Sequence, residues 1–128
     1  MIQVSELRIG NKIFTQSGKI ATVEGIKRGD ASHDFEYIVM FQELGIGNCY
    51  VRYCKPIPLT TEILEKFGFE QQNGVMGWEK EGVVIAYETL AGHFRLYPRH
   101  TKVESLHQLQ NLYSLLTGGE LNEIIGNV

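Results

Sequence analysis

Short clusters of apolar, β-branched and aromatic residues, separated by turn-forming residues, fill the first part of the chain and predict four strands. These predicted strands are Lys12 to Thr15, Lys19 to Ile26, Phe35 to Phe41 and Cys49 to Tyr53. Four such short strands favour a small curled β-sheet or barrel, because a flat sheet of that size leaves one face and both edges open to water.

The start of this region resembles a known barrel type. Residues 6–14, followed by residues 18–23, resemble the first two strands of a Tudor or KOW-type barrel. Ser17 and Gly18 are expected to close the hairpin between these strands, since glycine accepts the positive φ that a tight turn requires. The resemblance implies a Tudor/KOW-like barrel for residues 1–58.

The pattern changes after residue 58 and predicts a helix followed by strands. Thr60 is a suitable N-cap for the helix, Gly68 is expected to end it, and Phe69 is expected to fold back onto Leu64. Short turns then separate three strands that form an antiparallel meander. These strands are Val75 to Glu79, Val83 to Thr89 and His93 to Tyr97.

A second helix is predicted from Leu106 to about Leu116. Ser105 and Gln108 have the spacing of a capping box, and Gly118 stands where a helix commonly ends. One arc of this helix is apolar, and the opposite arc predicts a surface position for His107. The apolar arc contains Leu109, Leu112, Tyr113 and Leu116.

These elements predict an α+β protein. Residues 1–58 form a barrel-like lobe and residues 59–128 form an α-β-β-β-α lobe, either as separate lobes or as one continuous domain. With 128 residues, 43% hydrophobic residues and a net charge of -3, the composition excludes a disordered polyampholyte. No apolar run approaches the ~18 residues of a membrane span, and the N-terminus lacks signal-peptide features, so a cytoplasmic protein with no membrane contact is expected.

Two cysteines limit the metal and redox chemistry that the sequence predicts. Cys49 and Cys54 are five residues apart on a predicted strand, so their thiols are expected on opposite faces, unable to bond each other or share a metal. Their spacing, with no histidine nearby, does not match a zinc pattern. We therefore predict two structural thiols in a reducing compartment, with no metal and no cofactor.

The most unusual charge pattern is a basic stretch between Glu88 and Glu104 that contains no acidic side chain. It leads into the N-terminus of the second predicted helix, where an anion can be bound by backbone N–H groups and arginine. The candidate anion-binding residues are His93, Arg95, Tyr97, Arg99, His100, Lys102 and Ser105. Arg95 and Tyr97 also alternate with apolar residues, a pattern equally typical of an ordinary solvated strand face.

Aromatic residues of the first lobe are interleaved with basic residues, which suits either base stacking or the gripping of a peptide. A small barrel also needs large residues to fill its interior, so most of these aromatics are expected to be structural. They are Phe35, Tyr37, Phe41, Tyr50 and Tyr53, beside Lys27, Arg28 and Arg52.

Three blocks of the sequence resemble a known group of proteins. The blocks are residues 6–11, residues 56–60 running into 67–69, and residues 106–113 followed by 116–118. The chain resembles, over nearly its full length, a group of short uncharacterised proteins of gut-type bacteria and of their phages and mobile elements. The resemblance implies a cytoplasmic accessory protein of phage or mobile-element origin and carries no activity with it.

Catalytic motifs are missing from the sequence: there is no Gly-x-Ser-x-Gly elbow, no phosphate-binding loop and no dinucleotide fingerprint. We therefore expect a non-enzymatic binding or adaptor protein, whose partner is another protein or a second copy of the chain. The alternative is a binder of a phosphate ligand, either a nucleic-acid backbone or a small nucleotide, at the stretch Arg95 to Lys102.

Overall fold

The fold is described from a computed structural model that covers residues 2–29, 36–72, 77–97 and 101–123. The chain divides into two compact units, Met1–Ile57 and Pro58–Val128. Within the described residues, no helix combines the length and the apolar character needed to cross a membrane.

The first unit is a four-stranded antiparallel half-barrel in which neighbouring strands follow chain order. Its strands are β1 (Lys12–Phe14), β2 (Ile20–Arg28), β3 (Tyr37–Phe41) and β4 (Cys49–Tyr50). The four predicted strands are confirmed, but the last is cut short because residues Val51–Tyr53 form a 3-10 helix. The chain then returns to β1, where Phe14 and Lys55 exchange two backbone hydrogen bonds of 2.9 and 3.0 Å.

A carboxylate network ties β1, β2 and the loop after β3 together. Glu43 accepts hydrogen bonds from the Thr22 backbone N–H (2.8 Å) and from the Thr22 hydroxyl (2.7 Å). Lys12 Nζ donates to the same hydroxyl oxygen at 2.9 Å. Burial alone would raise the pKa of Glu43, but the hydrogen bonds from Thr22 and the charge of Lys12 together lower it below its ordinary value.

The second unit opens with helix α1 (Thr61–Lys66), which has the predicted ends. The Thr60 hydroxyl accepts a hydrogen bond from the Ile63 N–H at 3.2 Å, as an N-cap does. Gly68 has a φ of 92°, and the Phe69 N–H donates to the Leu64 carbonyl at 2.9 Å. The predicted fold-back of Phe69 onto the helix is therefore confirmed.

A five-stranded antiparallel sheet follows, where the sequence predicted three strands. Its strands, again in chain order, are β5 (Glu70–Gln71), β6 (Gly77–Lys80), β7 (Val83–Glu88), β8 (His93–Tyr97) and β9 (Thr101–Val103). The two added strands lie at the edges and are short and mostly polar, so they carry little hydrophobic pattern. Val75, the predicted start of the first strand, lies outside the described residues.

The chain then forms helix α2 (Leu106–Thr117), which ends at Gly118 with a φ of 77°, as predicted. Lys80, on the same face of the sheet as Trp78, places its Nζ 5.6 Å from the centre of the Tyr113 ring. The α2 helix therefore covers the sheet face that carries the buried Trp78 and Ile85. The opposite sheet face carries the polar residues of β8.

Three predictions about α2 are wrong. Instead of closing a capping box, the Ser105 hydroxyl lies 3.2 Å from His107 Nδ1, and Gln108 Oε1 accepts from the Glu104 N–H at 2.9 Å. His107 is buried, with 1% of its surface exposed, whereas Leu116 is 56% exposed. The buried arc also contains Gln110, so it is rotated away from the arc expected from leucines alone.

Candidate functional site

The structure brings four of the seven candidate anion-binding residues together on one face of the second unit's sheet. His93, Arg95 and Tyr97 alternate along β8, and Lys102 on β9 stands directly opposite Arg95. This group is called the basic face below. Ser105 is 3% exposed and contacts His107 instead. Two further candidates, Arg99 and His100, lie outside the described residues.

Carboxylates already accompany both cations of the basic face. Arg95 forms an ion pair with Glu88, and Lys102 Nζ lies 3.3 Å from a carboxylate oxygen of Glu104. Both pairs are partly open to water, so each contributes little to stability. Their main effect is on charge, because each pair cancels much of the positive field that an anion would be drawn to.

A cleft of about 280 Å³ in the second unit has mainly apolar walls, with His93 and Glu104 among its lining. The His93 ring is engaged there, because Nδ1 lies 3.2 Å from the Phe94 carbonyl oxygen. Tyr87 and Phe94 pack edge to face with ring centres 5.0 Å apart and form part of the wall. Of the candidate anion-binding residues that the structure describes, His93 alone reaches this cleft.

A second, more polar cleft of about 450 Å³ lies at one end of the first unit and is called the mouth cleft. It is formed by the β1–β2 turn and the β3–β4 loop, which fall at the same end because alternate connections of an antiparallel meander share an end. Its lining residues are Thr15, Gln16, Ser17, Lys19, Gly45, Ile46, Gly47, Asn48 and Cys49.

The turn that forms one wall of the mouth cleft is internally hydrogen-bonded. The Thr15 N–H donates to the Lys19 carbonyl at 2.8 Å, and the Gly18 N–H donates to the Thr15 carbonyl at 2.9 Å. Gly18 has a φ of 83°, which explains the glycine at this position. The fixed turn holds the exposed side chains of Gln16 and Lys19 beside the cleft.

Cys49 forms a buried part of the mouth cleft, and its relation to Cys54 differs from the prediction. Both cysteines are buried in one hydrophobic core, and both thiols donate to the Tyr50 carbonyl, at 3.4 and 3.6 Å. The expectation of opposite faces is wrong because the 3-10 helix Val51–Tyr53 interrupts the strand alternation. Burial, and then the charge and hydrogen bond of Cys49, raise the pKa of Cys54 to about 12.

Several aromatic and basic residues of the first unit contact other residues of that unit or lie in its core. Arg52 lies over the rings of Tyr50 and Tyr53, 5.9 and 5.0 Å from their centres, and forms a 3.0 Å ion pair with Glu36. Phe41 is buried in the core, while Tyr37 is 38% exposed. Phe35 lies outside the described residues.

No protein-family model, curated protein or solved structure matches this chain. In the part of the chain that the structure describes, no three His, Cys, Asp or Glu side chains converge as a metal site would require. The candidate sites therefore stand on their own geometry.

The sequence analysis missed the mouth cleft because its residues belong to two separate connections, a hairpin turn and a glycine-containing loop. One signal could have found it. The Ser17-Gly18 hairpin and the loop with Gly45 and Gly47 are alternate connections of the same predicted meander, and such connections meet at one end of a sheet.

Proposed function

We propose that this chain is a non-enzymatic binding or adaptor protein that holds a segment of a partner protein in its mouth cleft. The observation that carries the proposal is the cleft itself, whose volume of about 450 Å³ is within the range of roughly 300 to 1,000 Å³ typical of ligand sites. The mouths of small barrels are common places for such sites.

The lining of the mouth cleft favours a polypeptide with an acidic side chain. Lys19 is the one charged residue among the lining residues that the structure describes, so it is suited to a carboxylate. Gln16, Ser17 and Asn48 offer the hydroxyl and amide groups that hydrogen-bond to peptide groups. The glycines of the β3–β4 loop allow a backbone to approach closely.

The Tudor/KOW-like interpretation of the first unit is part of this proposal. Support comes from the chain-order sheet, the 3-10 helix after β4 and the return of Lys55 to β1, since such a return closes a curled sheet into a barrel. The likeness of three sequence blocks to proteins of gut-type bacteria, phages and mobile elements supports an accessory role in such an element.

Selection from a displayed library of acidic peptides tests the proposal. Peptides enriched on the wild-type protein should lose at least about tenfold in affinity on Lys19→Glu, because an attraction becomes a repulsion. Lys27→Glu is the matched control, since Lys27 is an exposed lysine near the far end of β2, the strand that begins directly after Lys19. Bound peptide should be recovered chemically unchanged.

Failure to enrich any peptide, or equal loss on Lys27→Glu, would contradict the proposal. Light scattering of the free protein distinguishes a foreign partner from a second copy. A monomer supports a foreign partner, whereas a dimer disrupted by Lys19→Glu would identify the occupant as a segment of this chain.

A phosphate-bearing ligand at the basic face is the second candidate, and one observation favours it. Arg95 and Lys102 stand directly opposite each other on neighbouring strands, so one phosphate group could contact both cations in addition to their carboxylate partners. A nucleotide panel should then raise the melting temperature of the wild type and leave the Arg95→Ala, Lys102→Ala double variant unchanged. Equal shifts in both proteins would exclude this site.

A further inference from the structure

We propose that Cys49 and Cys54 form a reactive thiol pair: Cys49 takes up a small-molecule disulfide from the mouth cleft, and Cys54 then closes an intramolecular disulfide. The pair is a modification site that does not depend on the peptide ligand proposed above.

The geometry places the two sulfur atoms together. Both thiols donate to the same oxygen, the Tyr50 carbonyl, at 3.4 and 3.6 Å, so the two sulfur atoms lie near each other. They are not joined by a disulfide in this structure. Because Val51–Tyr53 form a 3-10 helix, the intervening chain brings Cys54 back towards Cys49.

Access to the pair is unequal. Cys49 is 6% exposed and lines the mouth cleft, whereas Cys54 is 2% exposed and is not part of that lining. A small disulfide can therefore meet Cys49 first. The wall residues Gly45 and Gly47 carry no side chains that would obstruct it.

The reaction is two thiol–disulfide exchanges. The Cys49 thiolate attacks one sulfur of a low-molecular-weight disulfide such as glutathione disulfide, whose S–S bond breaks and releases one thiol. The Cys54 thiol then gives up its proton to solvent and attacks the Cys49 sulfur, releasing the second thiol. Two electrons pass from the cysteines to the small disulfide, which leaves as two thiols.

The order of the steps agrees with the environment of Cys54. Burial is the main reason that its pKa is raised, and the neighbouring Cys49 adds to the effect through its charge and its hydrogen bond. Once the Cys49 sulfur is part of a neutral mixed disulfide, the contribution of its charge ends. Part of the rise in the pKa of Cys54 is thereby removed, while the part caused by burial remains.

Mass spectrometry of the full chain treated with glutathione disulfide tests the proposal. The wild type should lose about 2 Da, the mass of two hydrogens. Because Arg52 lies between the two cysteines and Lys55 precedes a proline, trypsin should yield peptides 29–52 and 53–66 joined until a reductant is added. Cys54→Ala should accumulate a glutathione adduct at Cys49, and Cys49→Ala should react at least about tenfold more slowly than Cys54→Ala.

Absence of reaction in the wild type would overturn the proposal, as would adducts on both cysteines or disulfide-linked dimers. Equal rates for the two variants would overturn the assigned order of attack. The joined tryptic peptides come from the wild type alone, so they decide the existence of the disulfide even if an alanine variant fails to fold. Circular dichroism of each variant checks its fold.

Discussion

The mouth cleft and the basic face differ in what their polar groups already contact. On the basic face, Arg95 and Lys102 each have a carboxylate partner. At the mouth, two backbone hydrogen bonds hold the turn, and exposed side chains such as Gln16 and Lys19 lie beside a cleft. A cluster of charge in a sequence is thus a weaker sign of a binding site than two loops that meet around open space.

The substitution with the largest expected effect tests whether α2 covers one face of the sheet in the second unit. The basic face lies on the opposite face of this sheet. Leu109 is fully buried, and Leu109→Ala should lower the free energy of unfolding of this unit by about 3 kcal/mol. Leu115 on the same helix is 80% exposed, so Leu115→Ala should change it by less than about 0.5 kcal/mol. Hydrogen exchange of the second unit measures both, and equal effects would contradict the description of α2.

A substitution with a smaller expected effect tests how much the hydrogen bonds between Glu43 and Thr22 stabilise the first unit. Glu43→Gln replaces a carboxylate that accepts two hydrogen bonds from Thr22, and should lower stability at pH 7 by about 1 to 2 kcal/mol. Urea denaturation gives this value. Glu24→Gln, at an exposed position of β2, is the control and should change little.

The same pair of variants has a pH signature. The pKa of Glu43 is lower in the folded protein than its ordinary value, so the ionised carboxylate stabilises the fold above the ordinary glutamate pKa. This contribution is lost as the pH falls through the folded pKa. The difference between wild type and Glu43→Gln should therefore shrink in acid, and a difference that grows in acid would contradict the described network.

The smallest effect on stability concerns the carboxylates of the basic face. Removing both charges with Glu88→Gln and Glu104→Gln should change the free energy of unfolding by less than about 1 kcal/mol, because exposed ion pairs contribute little. The loss of two negative charges should nevertheless strengthen binding of a fluorescent single-stranded oligonucleotide in anisotropy measurements. Each additional phosphate that the variant binds should steepen the salt dependence by about 0.7 in log affinity per log salt. Unchanged oligonucleotide binding would show that the ion pairs with Glu88 and Glu104 do not limit anion binding at the basic face.

Local signals in the sequence predicted the parts of the fold that depend on a few neighbouring residues. The α1 helix begins after Thr60 and ends at Gly68 because capping and positive φ are decided within one turn of chain. The strands of the half-barrel were predictable because their apolar residues are clustered. Edge strands such as Glu70–Gln71 escaped prediction, since pairing with a neighbour rather than composition makes them strands.

The remaining differences come from tertiary structure. The spacing of the leucines in α2 predicts that His107 lies on the polar side of the helix. In the structure, the buried arc of α2 contains His107 together with Leu106 and Gln110. The proximity of Cys49 and Cys54 depends on the 3-10 helix between them, which residue alternation does not reveal. The mouth cleft joins segments far apart in sequence, so only the order of the strands could have indicated it.

Hydrogen exchange of the full chain, with and without an acidic peptide selected on the wild type, tests most directly which region binds. The account predicts slower exchange in residues 15–19 and 45–49, with residues 93–97 and 101–103 unchanged. Slower exchange in β8 and β9, with the mouth segments unchanged while the peptide is bound, would contradict it.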